Sequence, residues 1–193
     1  MELGEHGSSA SPWRRKDVTR VNTERAPDEV PVTADEFRHA IGHFPTGVCV
    51  ITTAVDGEGF GATVSAIASL SLDPPMLLVC LKDTSRTLAA VKRRGRFVVN
   101  MLEEGQASVA GHFATRDGAK IKDVDPSGGT LPTIEGALAS IECEVESMVR
   151  GGSHLVITAV VEKVQISPGR PLTYYRGRYG GFLPALSLVT PSD

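Results

Sequence analysis

Val48-Cys-Val-Ile-Thr-Thr-Ala-Val55, followed at once by Asp56-Gly-Glu-Gly59, is the stretch on which the fold turns. Six of its eight residues are β-branched, and both alternating sets, Val48/Val50/Thr52/Ala54 and Cys49/Ile51/Thr53/Val55, are free of charge. A strand exposed on one face would alternate apolar with polar. This one reads as buried on two sides, as in the wall of a barrel. Asp56-Gly-Glu-Gly59 is a turn signal that sends the chain back on itself.

Downstream, a second strand is predicted from about Ala62 to Leu72. Pro74-Pro75 breaks the chain before a third, Met76–Leu81. Ser85 is placed to cap a short helix, Leu88–Arg94, which stops at Gly95 with Lys92, Arg93 and Arg94 on its negative dipole end. Arg96–Leu102 reads as a fourth strand and Gln106–Phe113 as a short helix. Residues 114–134 are polar and rich in Gly and Pro, too long for a plain connector, and so a candidate binding loop. Strands resume at 139–148, 154–166 and 171–176. Upstream, Thr33-Ala-Asp-Glu36 is a capping-box pattern that opens a helix with an apolar stripe at Phe37, Ala40, Ile41 and Phe44, ended by Gly42 and Pro45. Residues 1–31 hold Gly, Ser, Pro and mixed charge with almost no apolar periodicity. They are expected to form a flexible tail, Trp13 included, ahead of one domain over 32–193. Seven or so strands with three short helices, not regularly alternated with long ones, argue for a mainly β protein: an antiparallel barrel rather than a doubly wound sheet.

Composition narrows the function. A net charge of −3 is too small to steer nucleic acid or an anionic membrane. No apolar run approaches the roughly 20 residues that cross a bilayer, and the first 30 residues lack the apolar core of a secretory signal. Cys49, Cys80 and Cys143 are odd in number and form no CxxC pair, so free thiols in a reducing cytoplasm are expected rather than disulfides or a zinc site.

Several motifs read more simply than they first look. Gly57-Glu-Gly-Phe-Gly61 is not a dinucleotide fingerprint. Its third glycine would fall at Ala62, with strand rather than helix after it, and a hairpin turn is expected. His39 and His43 stand four apart but lack the glutamate of HExxH and a third ligand, so they are expected to be a helix-face pair with no metal. Lys92-Arg-Arg-Gly-Arg96 is explained mainly by the helix terminus, with attraction of dinucleotide phosphates as the functional alternative. No Ser/His/Asp or Cys/His set stands out, so any chemistry is expected to be a cofactor's. Thr63-Val-Ser-Ala-Ile-Ala-Ser-Leu-Ser71 is unusually dense in small and hydroxyl side chains. These either fill a tapering barrel interior or let a flat ring lie along the strand; composition alone favours neither. His154, after Gly151-Gly-Ser153, is by position more often structural, and is also able to hydrogen-bond a ligand carboxamide.

Together these segments resemble the short-chain flavin reductase family, the reductase components of two-component flavin-dependent monooxygenases. The resemblance covers about residues 35–183. It rests on Phe37-Arg-His-Ala-Ile-Gly-His-Phe-Pro-Thr-Gly-Val48, the Thr63–Ser71 stretch, Pro74-Pro75, Phe97-Val-Val-Asn-Met-Leu102, Leu138-Ala-Ser-Ile-Glu-Cys143, Gly152-Ser-His154 and Pro171-Leu-Thr-Tyr-Tyr175, in that order. It implies a split antiparallel β-barrel homodimer in the cytoplasm that binds FAD or FMN, with FAD favoured. It implies hydride transfer from NADH (NADPH being the alternative) to flavin N5, and passage of the reduced flavin by diffusion to a partner monooxygenase. Flavin contacts carry over to Thr63, Val64, Ser65, Ala66 and Ser69, phosphate contacts to Ser85 and Thr87, and ribityl or phosphate contacts to Asn100, Phe113 and Lys120. His154 is implied beside the nicotinamide as the catalytic residue, with Tyr175 and Tyr179 shaping the substrate end. The family usually has asparagine where Ser65 sits and aspartate where Ser153 sits; serine keeps a hydrogen-bonding group at both places. The competing readings are a barrel with tightly bound flavin acting on its own organic substrate, and a non-catalytic flavin or haem binder.

Overall fold

A computed structural model of the chain describes residues 31–115, 120–121 and 130–184. In chain order it contains α1 (Ala34–Ile41), β1 (Thr46–Gly47), β2 (Cys49–Val55), β3 (Glu58–Val64), β4 (Ile67–Leu72), β5 (Pro75–Lys82), α2 (Arg86–Arg94), β6 (Arg96–Met101), α3 (Ala107–Phe113), β7 (Lys120–Ile121), β8 (Ala139–Gly151), β9 (His154–Ile166), β10 (Leu172–Tyr175) and β11 (Arg178–Gly181). One sheet has the order β4-β5-β9-β8-β6-β2-β3-β7 and a small one the order β1-β10-β11. Every strand pair in both is antiparallel. The chain is therefore mainly β with a few short helices, and the expected Thr33–Glu36 capping box, the Asp56-Gly57 hairpin and the Ser85-to-Gly95 helix are all present.

β2 shows why its sequence is apolar on both faces. Cys49 and Ile51 point into the main core with Val79, Leu88, Val91, Phe97, Val99 and Ile157. Val48 and Val50 point the other way, into a second core with Leu102, Ala110, Phe113 and Leu172. Successive side chains of a strand alternate sides, so one strand serves two cores. The hydroxyls of buried Thr52 and Thr53 are absorbed by the carbonyls of Pro132 and Arg96.

Three expectations need correction. The predicted strand 62–72 is two strands, β3 and β4, broken at Ser65-Ala66. They lie near opposite ends of the large sheet and are not paired with each other. Since Val64 and Ile67 are only three residues apart, their Cα atoms lie within about 11 Å of each other, so the sheet curls round on itself. The hydrogen-bond ladder nevertheless stays open, with no pairing that closes it into a barrel. A strand was also missed: β11 folds back on β10 through a turn at Arg176-Gly177. Finally, the apolar stripe of α1 is not buried within the chain, Phe37, Ile41 and Phe44 being 63%, 52% and 67% exposed. The helix is fixed by its cap and by its tie to the β10–β11 turn, not by core packing. The tail 1–30 and most of the 114–134 loop lie outside the described residues.

Candidate functional site

The break at Ser65-Ala66 is the centre of the site. Neither the Ser65 nor the Ala66 N–H of this two-residue link has a partner among the described residues. The carbonyls are used: Ser65 accepts from Ile67 N–H and Ala66 from Cys80 N–H, at 3.1 and 3.0 Å. Donors therefore face out of a backbone that is held in place.

Three hollows that share Thr63 lie along β3 and this link. One of about 680 Å³ runs from Gly61–Thr63 to the start of α2, bounded by Lys82, Ser85, Thr87 and Phe113. A second, of about 280 Å³, follows Ala62–Ala66 past Cys80 and Lys82 to Ser85 and His154. A third, of about 190 Å³, lies beneath Tyr174 and Tyr179 against Thr63–Ser65. Together they form one groove along the outer face of the sheet end. Its width depends on Gly61. A Cβ there would stand 2.4 Å from the ring of Phe113, itself only 8% exposed, so glycine lets α3 close on β3. Thr63 completes that junction by donating its hydroxyl to the Ala110 carbonyl at 2.7 Å.

The N-terminus of α2 supplies positive potential. Ser85 caps it by accepting from Leu88 N–H, Thr87 is buried in its first turn, and that turn holds no acidic side chain. Unopposed N–H groups and the helix dipole favour an anion there. The basic run 92–96 sits at the other end of the helix, where Arg93 pairs with Asp56, and Arg96 with Glu142 and Glu162. It does not line the groove, so the helix-terminus explanation is the one that fits.

His154 stands across from Lys82 at the groove mouth. Its Nδ1 lies 3.0 Å from the Ser153 hydroxyl, while Nε2 has no partner among the described residues. Tyr174 and Tyr179 face one another across β10–β11, ring centroids 5.4 Å apart. Burial, and then the neighbouring Tyr174, push the Tyr179 phenol above its ordinary value.

Of the residues named from sequence, the groove gathers Thr63, Val64, Ser65, Ala66, Ser85, Thr87, Phe113, His154 and Tyr179. It does not gather Asn100, Ser69 or Tyr175, and the Lys120 side chain lies outside the described residues. Asn100 is fully buried, donating to the Val50 carbonyl and the Thr52 hydroxyl and accepting from Ile134 N–H and the Ser140 hydroxyl. With every amide position spent, it braces the core instead of reaching a ligand. Ser69 lies on β4 beside a bulge, exposed and away from the groove. Tyr175 points to the side opposite Tyr174, towards His43 at a centroid distance of 6.4 Å. Lys120 is placed only by its backbone, which pairs with Phe60. Gly61, Lys82 and Tyr174 were missed. Tyr174 was readable in principle, because alternation along Leu172–Tyr175 sends only one tyrosine of the pair inward. His39 and His43 form an edge-to-face pair 4.9 Å apart, and no metal-binding cluster occurs among the described residues. No helix of the described residues is long and apolar enough to cross a membrane. The three cysteines are free, and burial pushes the Cys49 and Cys143 thiols up to about 11 and about 12.

Comparison with known proteins bears on this geometry. The family model described as flavin reductase like domain matches residues 41–182. The reductase component of a 4-nitrophenol 4-monooxygenase/4-nitrocatechol 2-monooxygenase from Rhodococcus opacus is 43% identical over 155 residues, covering 80% of this chain and 84% of that one. Among solved structures, flavin reductase PheA2 in its native state superposes with a TM-score of 0.71 at 31% identity, over 79% of this chain and all of that one. An NADH:FAD oxidoreductase, SgcE6 of Streptomyces globisporus, in complex with NAD and FAD fragments, gives 0.68 at 30% identity, over 78% and 93%.

Proposed function

The chain belongs to the flavin reductase-like domain family, and from that premise we propose the assignment of its groove: flavin lies along Thr63–Ala66 with its phosphate end at Ser85 and Thr87, and reduced nicotinamide meets it at the His154 side. The protein is an NAD(P)H-dependent flavin reductase, the reductase component of a two-component flavin-dependent monooxygenase; relatives are named as monooxygenase reductase components and as flavin reductases. The observation that carries the assignment is the pair of unpartnered N–H donors at Ser65 and Ala66 beside a run of slim side chains. A flavin ring needs donors at its pyrimidine edge and a flat apolar shelf along the rest.

The donor set fits the group. Ser65 and Ala66 N–H would hold the ring edge, the α2 terminus the phosphate, and Phe113 with Gly61 the wall between them. Bound flavin supplies the acceptor for a hydride from the nicotinamide. The chain binds, orients and excludes water. Alignment of two reactants is worth roughly 7–11 kcal/mol of barrier, which lets a site without a general acid work. Fixed backbone donors also favour charge that develops at the ring edge. His154, steered through Nδ1 by Ser153, presents Nε2 to the nicotinamide carboxamide. Ser65, Ala66 and His154 are all exposed, so the groove is open for flavin to leave towards an oxygenase. FAD is the favoured flavin and NADH the favoured donor.

The split barrel is completed in a homodimer. Support comes from large apolar side chains left exposed: Phe37 on α1 and Phe44 just after it, Leu72 and Ile166, at 90% and 81% exposure, at the ends of β4 and β9, and Leu183. So many exposed large apolar side chains suit a surface that a second copy covers. Three free cysteines accord with a cytoplasmic setting. One experiment tests the assignment: anaerobic oxidation of NADH by dilute protein, with and without added FAD or FMN, for wild type and His154→Ala. Turnover should rise with added flavin, and the variant should show a higher KM for NADH with flavin binding intact. A rate indifferent to added flavin, or a variant identical to wild type, refutes it.

A further inference from the structure

The β8–β9 hairpin ends in a two-residue turn, Gly152-Ser153, closed by the pair Gly151 and His154. Every residue from Arg150 to His154 is exposed, and open space surrounds the place a Cβ would take at Gly152. Packing therefore contributes little to fixing this tip. Yet the tip carries His154, whose one polar partner among the described residues is the neighbouring Ser153 hydroxyl, 3.0 Å from Nδ1. An imidazole on such a turn keeps a set direction only if the turn itself is tied down.

The ties converge on one residue of another segment. Asp83 follows Lys82, the last residue of β5 and the cross-strand neighbour of His154. Its backbone N–H donates to the Ser153 carbonyl at 3.0 Å, and its carboxylate accepts from the Arg150 guanidinium at 2.9 Å. Asp83 thus grips the end of β8 through Arg150 and the turn through Ser153. Two residues on, the Ser85 N–H donates to the Lys82 carbonyl at 2.9 Å and Ser85 caps α2. The short segment that anchors the tip therefore also anchors the anion end of the groove. The Arg150 and Asp83 side chains are 66% and 27% exposed. A pair so open to water adds little to stability; what it fixes is geometry.

Resting on the placement of His154 beside the nicotinamide, we propose that Asp83 and Arg150 are positioning residues for nicotinamide binding. Their ion pair holds the β8–β9 tip against the end of β5 and keeps Nε2 of His154 aimed into the groove. Neither side chain has to touch nicotinamide or flavin. Asp83 pins the Ser153 carbonyl, the Ser153 hydroxyl meets Nδ1, and Nε2 is left for the carboxamide.

A mutant cycle tests this: Arg150→Met and Asp83→Ala, each alone and combined with His154→Ala. Either single variant should raise KM for NADH about twofold to fivefold, the scale of a partly exposed ion pair. Flavin affinity should not change, and melting should shift by no more than about 4 °C. Arg150→Lys keeps the charge and should recover most of the wild-type KM. Hydrogen exchange at the Asp83 amide should quicken in Arg150→Met. With His154→Ala already present, the same substitutions should add nothing to KM, a coupling that a merely structural role would not produce. Because Arg150 is so exposed, its variant keeps the test alive even if Asp83→Ala folds poorly. KM unchanged in the single variants, or raised by the same factor with and without His154, overturns the proposal while the assignment of the groove stands. Should His154→Ala alone leave KM unchanged, the placement of His154 falls and this inference with it.

Discussion

Replacing Gly61 by alanine pits two effects of opposite sign against each other. Glycine inside a strand is a weak choice, and alanine there ordinarily gains about 0.5–1 kcal/mol by restricting the unfolded chain. At this position the added methyl would stand 2.4 Å from two ring carbons of Phe113. No real pair of carbons approaches so closely, and Phe113 is buried under α3, so the ring and its helix must move by about 1 Å to restore contact distance. Overpacking of this kind costs about 1–3 kcal/mol, which outweighs the gain. The net expectation is a loss of about 1–2 kcal/mol, or roughly 2–8 °C in melting temperature for a domain of this size. In a Phe113→Ala background the obstruction is gone and the same substitution should become neutral or stabilising. Urea unfolding of the four proteins of this cycle, with flavin affinity measured alongside, reads the coupling directly. Flavin binding should weaken in Gly61→Ala, because the wall of the groove has shifted. Additive stabilities across the cycle would falsify the contact as the cause.

Two further expectations concern the core. Asn100→Leu strips Ile134 N–H and the Ser140 hydroxyl of their acceptor; at about 1–3 kcal/mol for each stranded group, it should cost about 2–6 kcal/mol. Flavin affinity of the remaining folded protein should be unchanged; a stable variant with lost flavin binding would return Asn100 to the site. Cys49 predicts an alkaline effect. Its thiol is raised from the ordinary 9.0 to about 11 by burial, so between those values the unfolded chain loses a proton that the folded chain keeps. Stability is therefore full below about pH 9 and falls as pH rises towards 11. At pH 10.5 the share lost through Cys49 is about 2 kcal/mol, 1.5 units at 1.36 kcal/mol each. Denaturant titrations at pH 8 and 10.5 should show Cys49→Ala losing correspondingly less than wild type, and equal losses refute the burial argument.

The strands were legible where local chemistry was decisive. β2 announced two-sided burial by its lack of any polar face, and Thr33, Ser85 and Gly95 fixed their helix ends through capping groups whose requirements are local. The break at Ser65-Ala66 was not legible, because nothing in Thr63–Ser71 forbids a continuous strand. What divides it is the curl of the whole sheet, a property of distant pairings. The role of Asn100 was hidden for the same reason: its four partners come from segments 34–50 residues away. Nor does the stripe on α1 say whether its cover lies in the same chain. The groove residues were reached through the family resemblance, because composition alone left the slim stretch Thr63–Ser71 open between barrel filler and a ring shelf.

The two-residue link between β3 and β4 works like the clasp of a bracelet whose links are the other strands. It spans only two residues, so the strands it joins have to arrive close together, and the curvature of the strands between them, with the register shifts of β8 against β9, has to deliver that closure. Selection for a new oxygenase partner is thus free to remodel the outer surface, while drift in ring preference should trace to small adjustments of strand curvature far from any ligand.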